Sequence, residues 1–467
     1  MKTKHLFLVV MLCISNLIFA QNNFILHNFD AIPQNYMTNP AIENPSRFVI
    51  GFPALSSFQT GFTSSIDFSS VFAGNSPFSP SFDLTLSDLA SVMGDNNRIN
   101  INVLEEILYC GFQIPKGFVS FGISGQMESG FRLDKEIFEL INVGNDEAYF
   151  MNKTLDLSAM DFDITAYMQY HLGFSYNASE KLTLGTRFKY LVGLGNVNFE
   201  RFNADITMQG DVNSDFSSII NADILMNTSF YGAQTLLDSI NMDDFDPSAL
   251  LFKSKNHGIA FDFGAQYNLN DRIKLSASLI DLGFINWKTD VANYTYTLNH
   301  VDIGRFDGYE NEADRFQEVI DTLGSKYNFA ETKNGFRTTL SAKYYLSGSY
   351  KLDTKSWVDL LFWGRSRYGT MQTAVSVGIN RQFGNIFGLK ANYSIIQNSF
   401  ANLGLGLSLK LGIFQLYALS DNVLPYIDPV HNHRMTNVRF GINFNIWKKD
   451  NKIAVAEPEI PAVDVLQ

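Results

Sequence analysis

The chain has 467 residues, with 35 Lys+Arg against 47 Asp+Glu and a formal net charge of −12. That acidity argues against a nucleic-acid binder, because Lys and Arg drive contact with phosphate; two cysteines, Cys13 and Cys110, give no basis for a disulfide framework or a Cys-built zinc site. Aromatic residues make up 14% and charged residues only 18%, where about a quarter charged is typical of soluble domains.

At the N-terminus, Lys2 and Lys4 precede an apolar stretch over residues 6–19, and Ala20 is followed by Gln21. This is the layout of a secretory signal peptide, residues 1–20, cleaved near Ala20. Its apolar core is shorter than the roughly 20 residues that span a bilayer as a helix. Cys13 leaves with it, and Gln21 rather than Cys follows the cut, which argues against a lipid anchor. Residues 21–56 form the next unit. Over 21–46 there is no period; Pro33, Pro40 and Pro45 interrupt it, around the run Tyr36-Met37-Thr38-Asn39-Pro40-Ala41. Irregular apolar backbone cannot face lipid unshielded. The segment is therefore expected to plug the inside of a barrel, with Phe48, Ile50 and Phe52 leading into the first strand.

Residues 57–447 are expected to form that barrel. Successive strand residues point to opposite faces. Leu182, Leu184, Thr186, Phe188 and Tyr190 oppose Lys181, Thr183, Gly185, Arg187 and Lys189; Ile259, Phe261 and Phe263 oppose Ala260, Asp262 and Gly264. Leu403, Leu405, Leu407, Leu409 and Leu411 oppose Gly404, Gly406, Ser408, Lys410 and Gly412, and Val438, Phe440, Ile442, Phe444 and Ile446 oppose Arg439, Gly441, Asn443 and Asn445. Apolar out and polar in is the transmembrane barrel arrangement, and closure removes the sheet edges that lipid cannot satisfy. We read fourteen strands, near 57–69, 107–115, 117–130, 162–176, 181–210, 257–268, 272–288, 335–347, 354–366, 371–383, 386–397, 402–410, 413–420 and 434–447. With both termini periplasmic, the short turns (Lys116, Asn177–Glu180, Leu269–Asp271, Gly348–Asp353, Gly384–Asn385 and Leu411–Gly412) all fall on one side. The long connections 70–106, 131–161, 211–256 and 289–334 all fall on the other, as in outer-membrane barrels. Within those connections, helical spacing at Phe316, Val319, Ile320 and Leu323, and a cap at Ser87, predict short helices. Trp287, Trp357, Trp363 and Trp447, with Tyr344 and Tyr345, are candidates for interfacial belts or for ordinary packing. Residues 448–467 carry Pro458 and Pro461, lack periodicity and read as a flexible periplasmic tail.

The triplet Asn39-Pro40-Ala41 ahead of the first strand resembles the signature of FadL-type long-chain fatty-acid transporters and of related barrels of Bacteroidota, including PorV-like components of type IX secretion. Leu416-Tyr417-Ala418-Leu419-Ser420-Asp421-Asn422 is similar to a Bacteroidota barrel feature. The nearest resemblance is to the uncharacterised family called domain of unknown function 5723. It implies a 14-stranded, all-β transmembrane barrel with an N-terminal plug. The 20 residues after Trp447 depart from the transporters, whose last strand should end the chain, and no ligand-contacting residue of theirs matches a position here.

No nucleophile elbow, phosphate-cradling loop or His-Glu-x-x-His helix is present. His431 and His433 share a loop with Asp421 and Asp428, but no third metal ligand is specified, and a solvated loop is the favoured reading. His171 lies on the polar face of a strand and is expected to point into the lumen. Asp243, Asp244 and Asp246, like Glu310, Glu312 and Asp314, lack the spacing of a calcium loop. Neither catalytic, cofactor nor metal residues are assigned, and no cofactor is expected. The chain is read as an outer-membrane protein of a Gram-negative bacterium, in contact with membrane lipid and not an enzyme. The transporter resemblance implies uptake of a hydrophobic small molecule, through an apolar pocket beside residues 21–52 and a lateral gap in the wall. The alternative is a scaffold or adaptor in secretion or surface assembly, with a periplasmic or surface protein partner. A lipid enzyme ranks last, because it needs a Ser or Tyr nucleophile beside one of His171, His257, His300, His431 and His433.

Overall fold

The alternating segments hydrogen-bond into one antiparallel sheet of twenty strands. The computed structural model describes residues 23–42, 44, 46–65, 93–94, 97–136, 152–209, 217–230, 254–302, 330–367, 370–397, 399–427 and 433–447. In chain order the strands are β1 (Ser46–Gly51), β2 (Ser57–Ser64), β3 (Asn97–Ile114), β4 (Gly117–Leu133), β5 (Thr154–Asp156), β6 (Asp161–Asn177), β7 (Leu182–Gln209), β8 (Ser217–Ser229), β9 (His257–Asn268) and β10 (Ile273–Trp287). They continue as β11 (Val291–Asp302), β12 (Ala330–Thr332), β13 (Phe336–Thr339), β14 (Lys343–Asp353), β15 (Ser356–Arg367), β16 (Thr370–Phe383), β17 (Phe387–Ile396), β18 (Leu403–Leu411), β19 (Phe414–Ser420) and β20 (Met435–Trp447). A single helical turn, α1 (Leu424–Ile427), precedes β20.

Each strand pairs with its barrel neighbour and β20 pairs back onto β1 and β2, so the sheet closes. With β5, β8, β11 and β12 left out, and β1 with β2 and β13 with β14 counted as one stave each, the sheet is a closed 14-strand antiparallel barrel. Among the described residues every stave of the barrel therefore has a neighbour on both sides. The outer face carries a continuous apolar band: Leu184, Phe188, Phe263, Leu346, Leu360, Val377, Leu405 and Phe440 are all more than a third exposed. A band of this extent far exceeds the patches of a few hundred Å² that soluble monomers expose. The inner face carries Asn, Gln, Ser, Arg, Lys and Asp, nearly all buried.

The alternation that predicts these strands holds, but several boundaries move. The first stave begins at Ser46, earlier than expected, and is broken at 52–56, where the chain turns before β2. β3 starts at Asn97 rather than near 107. Residues 348–353, expected as a turn, continue β14, and the chain turns at Thr354 and Lys355 instead. Gly348 and the neighbouring serines have turn composition, yet Tyr344, Leu346, Tyr350 and Leu352 keep every second side chain on the outer face. β7 is one strand of 28 residues, as read, and its two halves do different work. Residues 182–192 pair with β9 in the barrel; residues 196–209 pair with β8 instead, the first three of them still holding β6 on the other side. β5, β8, β11 and β12 extend that upper half into a sheet where the sequence suggests only loops. Leu155, Ile206, Met208, Ile220 and Leu298 give the extension its own core. The helices expected around 87 and over 310–325, the signal peptide 1–20 and the tail 448–467 lie outside the described residues.

Trp287 and Trp363, candidates for a belt or for ordinary packing, lie inside the barrel, 0% and 1% exposed. The cause at Trp287 is a bulge between Leu279 and Leu282 in the β9–β10 ladder. An extra residue reverses which positions face inward, so the ring turns into the lumen, where its N–H donates to Thr338 Oγ1 at 2.8 Å. Trp357 also points inward, in register with Lys351.

Candidate functional site

Residues 23–42 run through the lumen without regular strand, apart from a 3₁₀ turn at Pro33–Met37. Phe24, Ile25, Leu26, Phe29, Ile32 and Tyr36 are buried there. Phe24 meets Trp363 edge-on with ring centroids 5.4 Å apart; Ile25, Leu26, Phe29 and Ile32 pack with Tyr417 and Leu419. Backbone buried outside a ladder must find other partners, and side chains of the wall supply them. Asp421 Oδ1 accepts from the Ile25 amide at 2.7 Å. Lys390 donates to the His27 carbonyl, Asn380 to that of Asn28 at 3.0 Å, Gln415 to that of Ala31 at 2.6 Å, and Ser278 to that of Thr38 at 2.6 Å. These anchors come from β10, β16, β17 and β19 and from the end of β19, so the segment is held from several sides of the wall.

Its own polar side chains are engaged as well. His27 bridges Thr38 Oγ1 (3.0 Å) and Ser347 Oγ (2.9 Å) and stacks on Tyr345. Burial, with Lys390 and Lys274 nearby, holds its pKa well below the ordinary histidine value. Gln34 and Asn443 exchange amide bonds of 2.8 and 2.9 Å. Glu106, at a bulge in β3, accepts from the Tyr36 hydroxyl, from Ser56 Oγ at 2.5 Å and from Gln34 Nε2 at 3.2 Å. Ser56 closes the break between β1 and β2, so this one carboxylate ties the segment to the interrupted stave.

Asn39-Pro40-Ala41 now has a structural role. Asn39 Oδ1 accepts from the Ala41 amide at 2.8 Å, closing a tight turn, while its Nδ2 reaches the carbonyls of Ala265 and Ala277. The turn rests on Gly185 of β7 and Gly264 of β9, which are paired directly across the ladder. A Cβ on Gly264 would collide with Asn39, and one on Gly185 with the Pro40 backbone. Paired glycines therefore make a seat that only bare backbone provides.

Above the segment the lumen holds a chain of buried charges. Arg187 and Lys189 share Asp262, with Lys189 Nζ at 2.8 Å from Oδ1. Lys189 also bridges Asp281, which Lys343 meets at 2.7 Å, and Lys343 reaches Glu128 at 3.4 Å. Asp281 adopts φ 62° at the β10 bulge, where its amide donates to Asp262 Oδ1 at 2.7 Å. Each of these charges is partnered, as burial demands. A cavity of ≈ 30 Å³ remains among Arg187, Lys189, Asp281, Lys343, Arg439 and Tyr36. Between the segment and the wall, where an apolar ligand pocket is expected, the space lined by Tyr36, Pro40, Ile42, Tyr109 and Phe118 measures ≈ 20 Å³. That holds a water, not a ligand, because the segment itself fills the room.

The residues singled out from the sequence are dispersed. His171 points inward, 3% exposed, against Tyr36 and Tyr109. His257 Nδ1 lies 2.8 Å from the Tyr190 hydroxyl, a His–Tyr pair at hydrogen-bond distance, but the pair sits on the exposed outer face and lines none of the cavities described here. His300 is exposed, with its amide donating to Asn221. His433 is buried, while Asp421 is committed to Ile25 and Asn437. His431, Asp428, Asp243, Asp244, Asp246, Glu310, Glu312 and Asp314 lie outside the described residues. Among the described residues no group of three His, Cys, Asp or Glu could hold a metal ion. Sequence reasoning missed Glu106, Glu128, Asp281 and Lys343, although Arg187, Lys189 and Asp262 already stood on inward positions as the visible part of that chain.

Residues 40–421 match the model of a family described as Family of unknown function (DUF5723). No curated protein matches the chain in sequence. Among solved structures, a FadL homologue of Pseudomonas aeruginosa is 11% identical, over 90% of this chain and 95% of that one, with a TM-score of 0.42. The toluene transporter TodX of Pseudomonas putida is 10% identical, over 91% and 92%, with a TM-score of 0.35. The translocator domain of the autotransporter NalP from Neisseria meningitidis is 9% identical, over 85% and 88%, with a TM-score of 0.31.

Proposed function

From the premise that this chain belongs to the DUF5723 family, whose function is unknown, we propose that it is an outer-membrane channel closed in this state by its own N-terminal segment. The observation that carries the reading is residues 23–42 seated in the lumen of a closed barrel and anchored to its wall by side chains. The apolar outer band supports a lipid surround, because water would leave it unsatisfied. The sidedness of short turns and long connections supports placing the turns in the periplasm. In this reading the segment is a plug, and the Glu106–Tyr36–Gln34–Ser56 cluster is its latch.

The cargo we propose is a hydrophobic small molecule that enters from the side. Its support is local. β2 and β3 pair only at Ser57↔Glu106 and Ser64↔Ile99, whereas β3 and β4 pair along their whole length. The break at 52–56 puts Phe52 and Leu55 on the outer surface beside this thin seam. A charged lumen disfavours an apolar solute passing straight through, so a side entry is the route compatible with apolar cargo. Deleting the gene is expected to slow uptake of a radiolabelled long-chain fatty acid by intact cells several-fold, with recovery on complementation. Unchanged uptake counts against this cargo while leaving the channel reading to its own test.

A further inference from the structure

Arg187, Lys189, Lys343 and Lys390 in the deep lumen each meet a carboxylate, whereas three cations at the short-turn end meet none among the described residues. A cavity of ≈ 390 Å³ opens there, between the ends of β7, β9, β10, β14 and β15. That size lies within the usual range for small-molecule sites, about 300–1,000 Å³. Its lining includes Lys181, Arg272, Lys274, Lys351 and Trp357. Lys274 is held by Asp30 at 3.2 Å. Lys181, Arg272 and Lys351 have no carboxylate at ion-pair distance among the described residues; Arg272 reaches only the Tyr350 hydroxyl, at 3.5 Å. Glu180 and Asp271 also border the cavity, from the two turns. They leave the cations in excess, in a chain whose overall charge is −12. Asn270 stiffens the β9–β10 turn, its Oδ1 accepting from the amides of Arg272 and Ile273 at 2.9 Å each. Trp357 stands in register with Lys351 and offers a half-buried ring beside that ammonium.

We propose that this vestibule is a binding site for a small organic anion, a carboxylate or phosphate monoester joined to a flat apolar group. Free cations around an enclosed mouth favour the anionic end. The indole face takes the apolar part, and the side-chain amides of Asn268 and Asn270, which also line the cavity, supply neutral donors. The deeper cations Arg187, Lys189, Lys343 and Lys390 cannot serve this role, since each already bridges a carboxylate. This inference stands apart from the channel reading; it needs only the barrel end that the turns build.

The test is calorimetric titration of the full-length protein in detergent micelles with phenyl phosphate, benzoate, inorganic phosphate and neutral benzyl alcohol. Phenyl phosphate and benzoate are the two anion arms, and whichever binds more tightly identifies the head group preferred. Either or both anions are expected to bind, more weakly as salt rises, and benzyl alcohol is expected not to. The triple variant Lys181→Gln/Arg272→Gln/Lys351→Gln changes only exposed or half-buried positions and is expected to lose at least ~10-fold in affinity, about 1.4 kcal/mol. Trp357→Leu is expected to abolish the preference for phenyl phosphate over inorganic phosphate. Failure of both anions to bind, equal binding of the alcohol, unchanged affinity in the triple variant, or a preference that survives Trp357→Leu would each overturn the proposal.

Discussion

Replacing Gly264 with valine is expected to unseat the N-terminal segment while the barrel stays closed. The new Cβ would fall on Asn39, whose Oδ1 closes the turn at Ala41, with Pro40 Cδ 2.9 Å away. Neither neighbour is the loose end of a flexible side chain, so the segment must move. Valine itself suits a strand, and Gly264 lies in the middle of β9, paired on both sides. Overpacking of this kind costs about 1–3 kcal/mol, and that cost falls on the turn. Amide hydrogen exchange over residues 37–42 is expected to quicken by ~10- to 100-fold, with the strands of the wall unchanged. Gly348→Ala is the control, because a Cβ there meets only Leu275 Cδ2 at 3.6 Å. Equal protection of residues 37–42 in both variants would show that the glycine seat does not hold the segment.

The second large effect is expected at Lys189. Its ammonium, 1% exposed, joins Asp262 to Asp281. Lys189→Met keeps the length of the side chain and removes its charge. Asp262 then keeps Arg187, and Asp281 keeps Lys343, as its remaining cation at ion-pair distance among the described residues, deep in a poorly solvated lumen. Breaking a buried pair in this way costs about 3–5 kcal/mol. The urea midpoint for unfolding from lipid vesicles should fall accordingly, with the slope unchanged. The double variant Lys189→Met/Asp281→Asn removes one of the stranded carboxylates and should recover part of the loss. If Lys189→Met unfolds at the wild-type midpoint, the charges are screened by water and do not support the wall.

How much of this was legible in the sequence depends on what each feature repeats. Leu403, Leu405 and Leu407 announce an outer face because period two recurs within a few residues, and the structure exposes all three. Residues 181–190 of the long strand were legible for the same reason. A bulge carries no such mark. The irregularity at 279–282 reverses the inward face, and only its partner strand β9 reveals it; the side of Trp287 was therefore left open between a belt and ordinary packing. The strands β8 and β11 were hidden differently. Ser217–Ser229 interleaves Ile, Leu and Met with Ser and Asn without clean alternation, and it becomes a strand by pairing with β7 and β11. The candidate site was half visible. The prolines and the missing period marked residues 21–46 as shielded, but which wall residues meet them depends on register between distant segments, such as Gln34 and Asn443. Glu106 read as the last residue of the long connection 70–106, since Tyr36 and Ser56 reach it only after the barrel closes.

The central claim, a channel shut by residues 23–42, is tested most directly by single-channel recording in planar bilayers. The full-length protein is expected to hold the current near baseline. A variant lacking residues 23–42, shown by heat-dependent gel mobility to be a folded barrel, is expected to give stable stepwise conductance, because fourteen strands without a filler enclose an aqueous lumen. Gly264→Val is expected to fall between them, with intermittent openings. Full-length protein that conducts as steadily as the deletion variant, or a folded deletion variant that stays silent, would contradict the account.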